Sequence, residues 1–271
     1  MPSPRPPLTP DDLRAPMILQ RRAQIAELVR QTGAMRVTDL AARFQVSEVT
    51  IRNDLMQLEK QGLVIRDRGG ALPLGHPREL TSLLAVEQRA HLHIAEKRRI
   101  ARAAAQLVSA GDTIIMDAGT TVVEMAPHLA GIASLTVVTN ALNVALEVST
   151  KCDARVILAG GNFSRESSST LGSVTEQTLG ELIVQKAFLG TQAFDFEHGL
   201  TDTTMEIAQV KRAIIRAARR VILLTDSSKL GQSGFIKVAP LTAVQTLITD
   251  DALPAEARPS LEKAGIELTL V

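Results

Sequence analysis

Residues Ser47–Gly62 read SEVTIRNDLMQLEKQG. Ile51, Leu55 and Leu58 recur at i, i+4 and i+7, which makes one apolar stripe along a helix. Ser47 is of the residue type that caps a first helical turn, and Gly62 is of the type that ends a last one. With the stripe turned inward, Glu48, Val49, Thr50, Arg52 and Asn53 face outward near the N-terminal end. That is where a recognition helix meets base edges in the major groove of double-stranded DNA. Arg52 can pair with guanine or a phosphate and Asn53 with adenine, while Ser47 and Thr50 can donate to phosphates.

The flanking sequence extends this reading. Upstream, the turn Gln45-Val46 follows a short helix expected over Thr38–Phe44, with Thr38 as its cap and Leu40, Ala41 and Phe44 on one face. Before it, Ile18, Ile25, Leu28 and Val29 mark a helix from near Pro16 to about Gln31, stopped by Gly33. Downstream, strands are expected at Leu63–Arg66 and Ala71–Leu72 around the turn Asp67-Arg68-Gly69-Gly70. This hairpin carries Arg66 and Arg68, and its glycines let backbone approach closely. Residues 17–74 therefore predict a winged helix-turn-helix DNA-binding domain. Its candidate DNA contacts are Thr38, Ser47, Glu48, Thr50, Arg52, Asn53, Arg66, Arg68 and Gly69. Met17–Pro73 holds nine Arg or Lys against six Asp or Glu, a local charge of only +3. A helical bundle that docks protein is the rival reading. Pattern, cap, outward polar set and wing agree on DNA.

The whole chain sets wider bounds. It has 271 residues and a net charge of +1, so nothing global points to nucleic acid. A hydrophobic content of 45% supports a substantial core rather than disorder. Six Phe with no Tyr or Trp leave little material for stacking single-stranded bases or sugar rings. Ligands should therefore be held by hydrogen bonds and charge. Cys152 is the one cysteine, which excludes an internal disulfide and paired-cysteine zinc and fits a cytoplasmic protein. The proline-rich MPSPRPPLTP reads as a disordered tail rather than a signal peptide. No apolar run reaches the roughly 18 residues of a membrane helix.

After an expected linker at 75–94, residues 95–271 change character. A helix is predicted over Glu96–Val108 on the stripe Ile100, Ala103, Ala104 and Leu107. Seven strands follow: Thr113–Asp117, Leu135–Asn140, Arg155–Ala159, Lys186–Gly190, Arg220–Asp226, Thr246–Asp250 and Ile266–Val271. Continuous apolar runs with helices between them predict an α/β domain whose parallel sheet is covered on both faces. Ligands in such folds bind beyond the carboxyl ends of strands. Asp117 stands at such an end, and Gly119, Thr120 and Thr121 are expected to open a helix whose free N–H groups favour an anion such as phosphate. Alternatively, Gly119 serves a tight turn and Thr121 a cap. Thr139 and Asn140 offer sugar-hydroxyl partners or a helix cap, and Gly160-Gly161 offer close backbone approach or a hinge. Lys229, in TDSSK, is the leading candidate cation, with a structural salt bridge as its alternative role. Asp195 is a further candidate, while Lys211, Glu206 and Arg165 rank lower. His91 and His93, two apart, face different sides of a helix, so no metal and no cofactor are expected.

These residues also carry a resemblance. VSEVTIRNDLMQLEKQGLVIRDRGGALP, residues 46–73, resembles the helix-turn-helix of DeoR-family transcription regulators, and TIRNDL with LEKQG is similar to their amino-sugar, AgaR-like branch. The family usually has Arg at the position of Asn53 and His at that of Arg68, differences that bear on base preference rather than fold. Six further blocks resemble family motifs in family order: DAGTT at 117–121, TN at 139–140, LAGG at 158–161, FLG at 188–190, GLT at 199–201 and TDSSK at 225–229. The resemblance implies a ribose-5-phosphate isomerase-like sensor domain for a phosphorylated sugar. It also implies assembly as a homodimer or homotetramer and repression of a sugar-catabolism operon. A sugar-phosphate isomerase-like enzyme with an accessory helical domain is the main rival.

Overall fold

A computed structural model describes residues 10–32, 35–67, 70–73, 79–80 and 86–271. The chain divides into two units, Met1–His76 and Pro77–Val271.

The N-terminal unit contains α1 (Pro10–Thr32), β1 (Met35–Arg36), α2 (Val37–Phe44), α3 (Glu48–Lys60), β2 (Ile65–Asp67) and β3 (Gly70–Leu72). Ile25 and Val29 of α1, Val37 and Leu40 of α2, and Ile51, Leu55 and Leu58 of α3 close one core with Val64 and Ala71. Asp54, also buried, accepts from Arg21 Nε at 2.6 Å and Arg22 Nε at 2.8 Å, which ties α3 to α1. Ser47 caps α3 as expected, accepting from Thr50 N at 3.1 Å, and Gly62 follows its end at φ 66°.

Two local expectations need correction. Helix α1 starts at Pro10, earlier than expected. Helix α2 starts at Val37, and Thr38 lies inside its first turn with its hydroxyl on Asp39 rather than capping. The reason is β1. Arg36 is held extended opposite Gly70, so the chain turns helical one residue earlier. A two-residue strand has too little alternation to be read from sequence. β1 pairs with β3, and β3 with β2, in an antiparallel sheet of three strands. A β-carbon on Gly70 would stand 2.3 Å from Met35 O, so only glycine lets β1 lie there.

The C-terminal unit begins inside the stretch expected to be linker. β4 (Glu79–Leu80) and α4 (Val86–Ala90) belong to it, and Val86 N donates to Glu166 O at 2.9 Å. Then follow α5 (Ile94–Ala105), β5 (Thr113–Met116), β6 (Thr136–Thr139), α6 (Leu142–Lys151), β7 (Arg155–Leu158), β8 (Asn162–Ser164), β9 (Ser169–Leu171) and α7 (Ser173–Gly180). The chain continues through β10 (Val184–Leu189), β11 (Ala193–Asp195), β12 (Gly199–Asp202), α8 (Met205–Ala217), β13 (Ala218–Leu224), β14 (Ser233–Gly234), β15 (Ile236–Ala239), β16 (Thr246–Thr249), α9 (Arg258–Lys263) and β17 (Glu267–Leu270).

All seven expected strands form one parallel sheet in the order β17-β16-β13-β10-β5-β6-β7. Alternate residues feed two cores. Ile115, Ala187, Leu189, Val221 and Leu223 pack with Leu179 of α7 and Ala213 and Ile214 of α8. Ile114, Met116, Phe188, Ile222 and Leu224 pack with Ile100 and Ala104 of α5 and Val144 and Val148 of α6. Both faces are covered, as continuous apolar strands require. From β5 the chain winds outward through β6 and β7, then returns to place β10 on the other side of β5. That reversal opens a crevice at the carboxyl ends of β5 and β10.

Smaller antiparallel pieces edge this crevice: the hairpin β8–β9, and a sheet β11-β12-β15. The stretch Gly160–Leu171 is largely the hairpin β8–β9. Among the described residues, no helix is long and apolar enough to cross a membrane.

Candidate functional site

On the N-terminal unit, α3 presents Val49, Arg52 and Asn53 to solvent, with Glu48 and Thr50 half-buried beside them. Ser47 and Thr38 are exposed as well. Arg52 Nη2 lies 2.5 Å from Glu48 Oε2, one turn back. This pair holds the guanidinium along the helix until a stronger acceptor displaces it, and an exposed pair of this kind is weak. Arg66 lies in β2, while Arg68 and Gly69 fall outside the described residues.

On the C-terminal unit, a cleft of about 800 Å³, counting its open mouth, lies at the switch point. Its floor is a buried ionic knot. Lys211 Nζ lies 2.6 Å from Asp117 Oδ2, 2.6 Å from Gly190 O and 3.8 Å from Asp202 Oδ2. Gly190 N donates to Asp117 Oδ2 at 3.2 Å, and Asp117 N donates to Phe188 O, so the loops after β5 and β10 are pinned together. Burial pushes the Asp202 carboxyl above the usual carboxylate range, against the pull of Lys211.

Above the floor, Arg89 of α4, Lys97 of α5 and Lys229 line the same cleft. Lys97 Nζ donates to the Arg89 carbonyl. Burial first, then the neighbouring Lys229 and Arg89 charges, bring the Lys97 ammonium down to about 8, although Asp226 pulls the other way. Burial lowers Lys229 too, with Asp226 opposing and Arg89 adding to the fall. Burial likewise lowers Arg89, against Asp202 and Asp117. Asp226 is committed elsewhere in part, since its Oδ1 accepts from Ser228 N at 3.2 Å and from the Ser228 hydroxyl. With Lys211 the cleft lining holds four cations against the three carboxylates Asp117, Asp202 and Asp226, one positive charge in excess.

Of the residues picked from sequence, the cleft gathers Asp117, Gly119, Thr120, Thr121, Asn140 and Lys229. Asn140 follows β6 and its Nδ2 donates to Thr170 O at 3.0 Å. Four others stand apart from its lining. Thr139 is fully buried and accepts from Ala141 N at 3.0 Å, which turns the chain into α6. Gly160 O accepts from Thr175 Oγ1 at 2.7 Å, and a β-carbon on Gly161 would stand 2.1 Å from that oxygen. Both glycines therefore serve the packing of α7. Asp195 closes the β11–β12 turn, accepting from Glu197 N at 2.8 Å and His198 N at 2.5 Å. Nor does an α-helix begin at Gly119: a single turn, with Val123 N on Gly119 O at 3.0 Å, leads into a short 3₁₀ helix, Val123–His128.

Sequence reading passed over Arg89, Lys97, Asp202 and Gln192 and ranked Lys211 low. A signal existed for the lysines. Lys97 continues the stripe Ile100, Ala101 and Ala104 by one turn, and Lys211 falls between Ala208 and Ile214 on the buried face of α8. A lysine on an apolar stripe must find a partner indoors.

Comparison with known proteins bears on both units. A model of the DeoR-like helix-turn-helix domain matches residues 21–74, and one of the DeoR C terminal sensor domain matches residues 92–251. An Escherichia coli O157:H7 protein named as a candidate aga operon transcriptional repressor is 36% identical over 93% of each chain. The HTH-type transcriptional repressor GlcR of Bacillus subtilis (strain 168) is 37% identical over 92% of this chain and 95% of its own. The glycerol-3-phosphate regulon repressor of Escherichia coli (strain K12) is 33% identical over 93% of this chain and 98% of its own. Among solved structures, ribose 5-phosphate isomerase A of Methanocaldococcus jannaschii aligns over 49% of this chain and 53% of its own, with a TM-score of 0.37 at 16% identity.

Proposed function

The chain belongs to the DeoR family of transcription regulators, and from that premise we propose that it represses a sugar-catabolism operon under the control of a phosphorylated sugar bound in the cleft. It is a DNA-binding regulator and not an enzyme. The observation that carries the effector reading is a polar cleft lined by Arg89, Lys97, Lys211 and Lys229 against Asp117, Asp202 and Asp226, one cation in excess. A phosphate group balances that excess, and its oxygens accept from Lys97 and Lys229. Thr120 and Thr121 add hydroxyl donors, while Asp117, held by Lys211, can accept from a sugar hydroxyl. Arg52 and Asn53 read base edges and Ser47, Thr50 and the wing grip phosphate, with two or four copies of the chain spanning half-sites.

Ligand and operator are linked through a difference in ligand affinity between the DNA-bound and free forms. The experiment follows the fluorescence anisotropy of a labelled fragment from upstream of the gene. Binding is expected to weaken steeply with salt, as counterion release requires. A sugar phosphate is then titrated in, and the apparent operator affinity is expected to shift by about 5- to 150-fold. A triose, pentose and hexose phosphate panel that leaves operator affinity unchanged throughout refutes the effector reading. A salt-independent or absent shift refutes the DNA reading.

A further inference from the structure

Most buried polar atoms of this protein have partners, as folded proteins require. Among the described residues, five buried side-chain polar atoms lack one, and two of these five line the same cleft: Asn140 Oδ1 and Gln192 Oε1. Asn140 is 2% exposed and Gln192 is 5% exposed. The Asn140 amide cannot be reversed to remedy this. Its Nδ2 donates to Thr170 O, and a flipped amide would set oxygen against that carbonyl. Its backbone is pinned too, because Asn140 O accepts from Thr170 N at 2.8 Å. The acceptor is therefore held in place by β9. Gln192 comes from the loop after β10, across the switch point.

We propose that Asn140 and Gln192 are the specificity-determining pair of this cleft. The fixed Asn140 oxygen accepts hydrogen bonds from hydroxyl or ammonium groups of the ligand, and the Gln192 amide, which is free to turn either end inward, bonds a hydroxyl with its oxygen or its nitrogen, so the pair selects a phosphorylated polyol or amino sugar over a bare anion. This rests on the effector reading above and adds a second pole to the site. The cations take the anion, and the amides take the donor-rich carbon chain. A buried acceptor left unpaired is costly, and a donor-bearing ligand relieves that cost. A site built this way discriminates strongly against analogues that lack the donor.

The test uses the full chain and calorimetric titration. The probes are inorganic phosphate, a panel of triose, pentose, hexose and hexosamine phosphates, and deoxy analogues of whichever sugar phosphate binds. In the wild type, at least one sugar phosphate is expected to bind more tightly than inorganic phosphate, with a deoxy analogue weaker by about tenfold to a hundredfold. In Asn140→Leu and Gln192→Met, sugar-phosphate affinity is expected to fall by a similar factor while inorganic phosphate binds as before. Unliganded Gln192→Met is also expected to melt no lower than the wild type, because an unpaired buried oxygen is replaced by an apolar group of similar shape. Lys97→Met serves as the contrast and weakens sugar phosphate and inorganic phosphate together.

If sugar phosphates bind but the amide variants lose nothing, or lose phosphate equally, the pair does not select and the proposal is overturned. If no sugar phosphate binds better than inorganic phosphate, it is overturned likewise. If neither sugar phosphate nor inorganic phosphate binds the wild type, the effector reading itself fails first.

Discussion

Lys211→Met is the sharpest perturbation of the sensor unit. The ammonium is 2.6 Å from Asp117 Oδ2 and from Gly190 O, and 3.8 Å from Asp202 Oδ2, all in nearly complete burial. Methionine keeps the stem and the volume but removes the cation, so two carboxylates remain buried with one charge fewer between them. Breaking a buried pair in this way costs about 3–5 kcal/mol. For a unit of this size each kcal/mol lowers the melting temperature by about 2–4 °C, so a fall of roughly 6–20 °C is expected.

The pH dependence carries the diagnosis. Burial already raises the Asp202 carboxyl above its ordinary value. For an acid raised on folding, the native state holds more protons than the unfolded state between the two values, so stability falls as pH rises through that window. Without Lys211 the window widens. The deficit of the variant is therefore expected to be deepest at neutral pH and to shrink on acidification toward roughly pH 5, near the carboxylate range. Differential scanning calorimetry of wild type and variant from pH 5 to 8 measures this. A melting temperature within about 2 °C of wild type at pH 7, or a deficit that does not change with pH, would refute the ionic knot as the organiser of the cleft floor.

Other outcomes follow from the same geometry. Arg52→Ala is expected to weaken operator binding by about 1–3 kcal/mol in anisotropy titrations and to leave sugar-phosphate binding intact. Lys229→Ala is expected to do the reverse, blunting release by effector while operator affinity without effector stays the same. Because the Lys97 ammonium titrates at about 8, affinity for a phosphorylated ligand is expected to fall as pH rises through that value. Calorimetry from pH 7 to 9 reads this, and Lys97→Met should flatten the profile. Ser47→Ala removes the α3 cap and is expected to cost about 1 kcal/mol in the thermal stability of the N-terminal unit.

The fold was open to sequence reading where physics writes a periodic pattern. The central strands, buried on both faces, must be largely apolar, and each of the seven sequence runs coincides with an observed strand to within about two residues. The stripe of α3 and its Ser47 cap were equally plain. Most short elements were not, β2 and β3 excepted, which the turn between them betrays. β1 has two residues, and β8, β9 and β11 have three each, too few for alternation to rise above chance. The Thr38 expectation failed because strand pairing of Arg36, a tertiary contact, set the helix start.

The cleft divides along the same line. Asp117, Asn140 and Lys229 follow strand ends, so the rule that ligands meet carboxyl ends of strands found them. That rule also swept in Thr139, Gly160, Gly161 and Asp195, since many strand-end residues are occupied in turning the chain. Arg89, Lys97 and Lys211 come from helices, where a charged residue is read by default as solvated. Their place emerges only when helix and sheet are packed, which buries Lys97 and Lys211 and brings Arg89 to the cleft. A lysine that continues an apolar helical stripe is thus stronger grounds for a buried ionic site than a lysine in a motif. In this chain two of its four cleft cations carry that mark. The same rule binds Lys97: a lysine moved one position on, to the exposed place of Arg98, should leave the cleft without that cation.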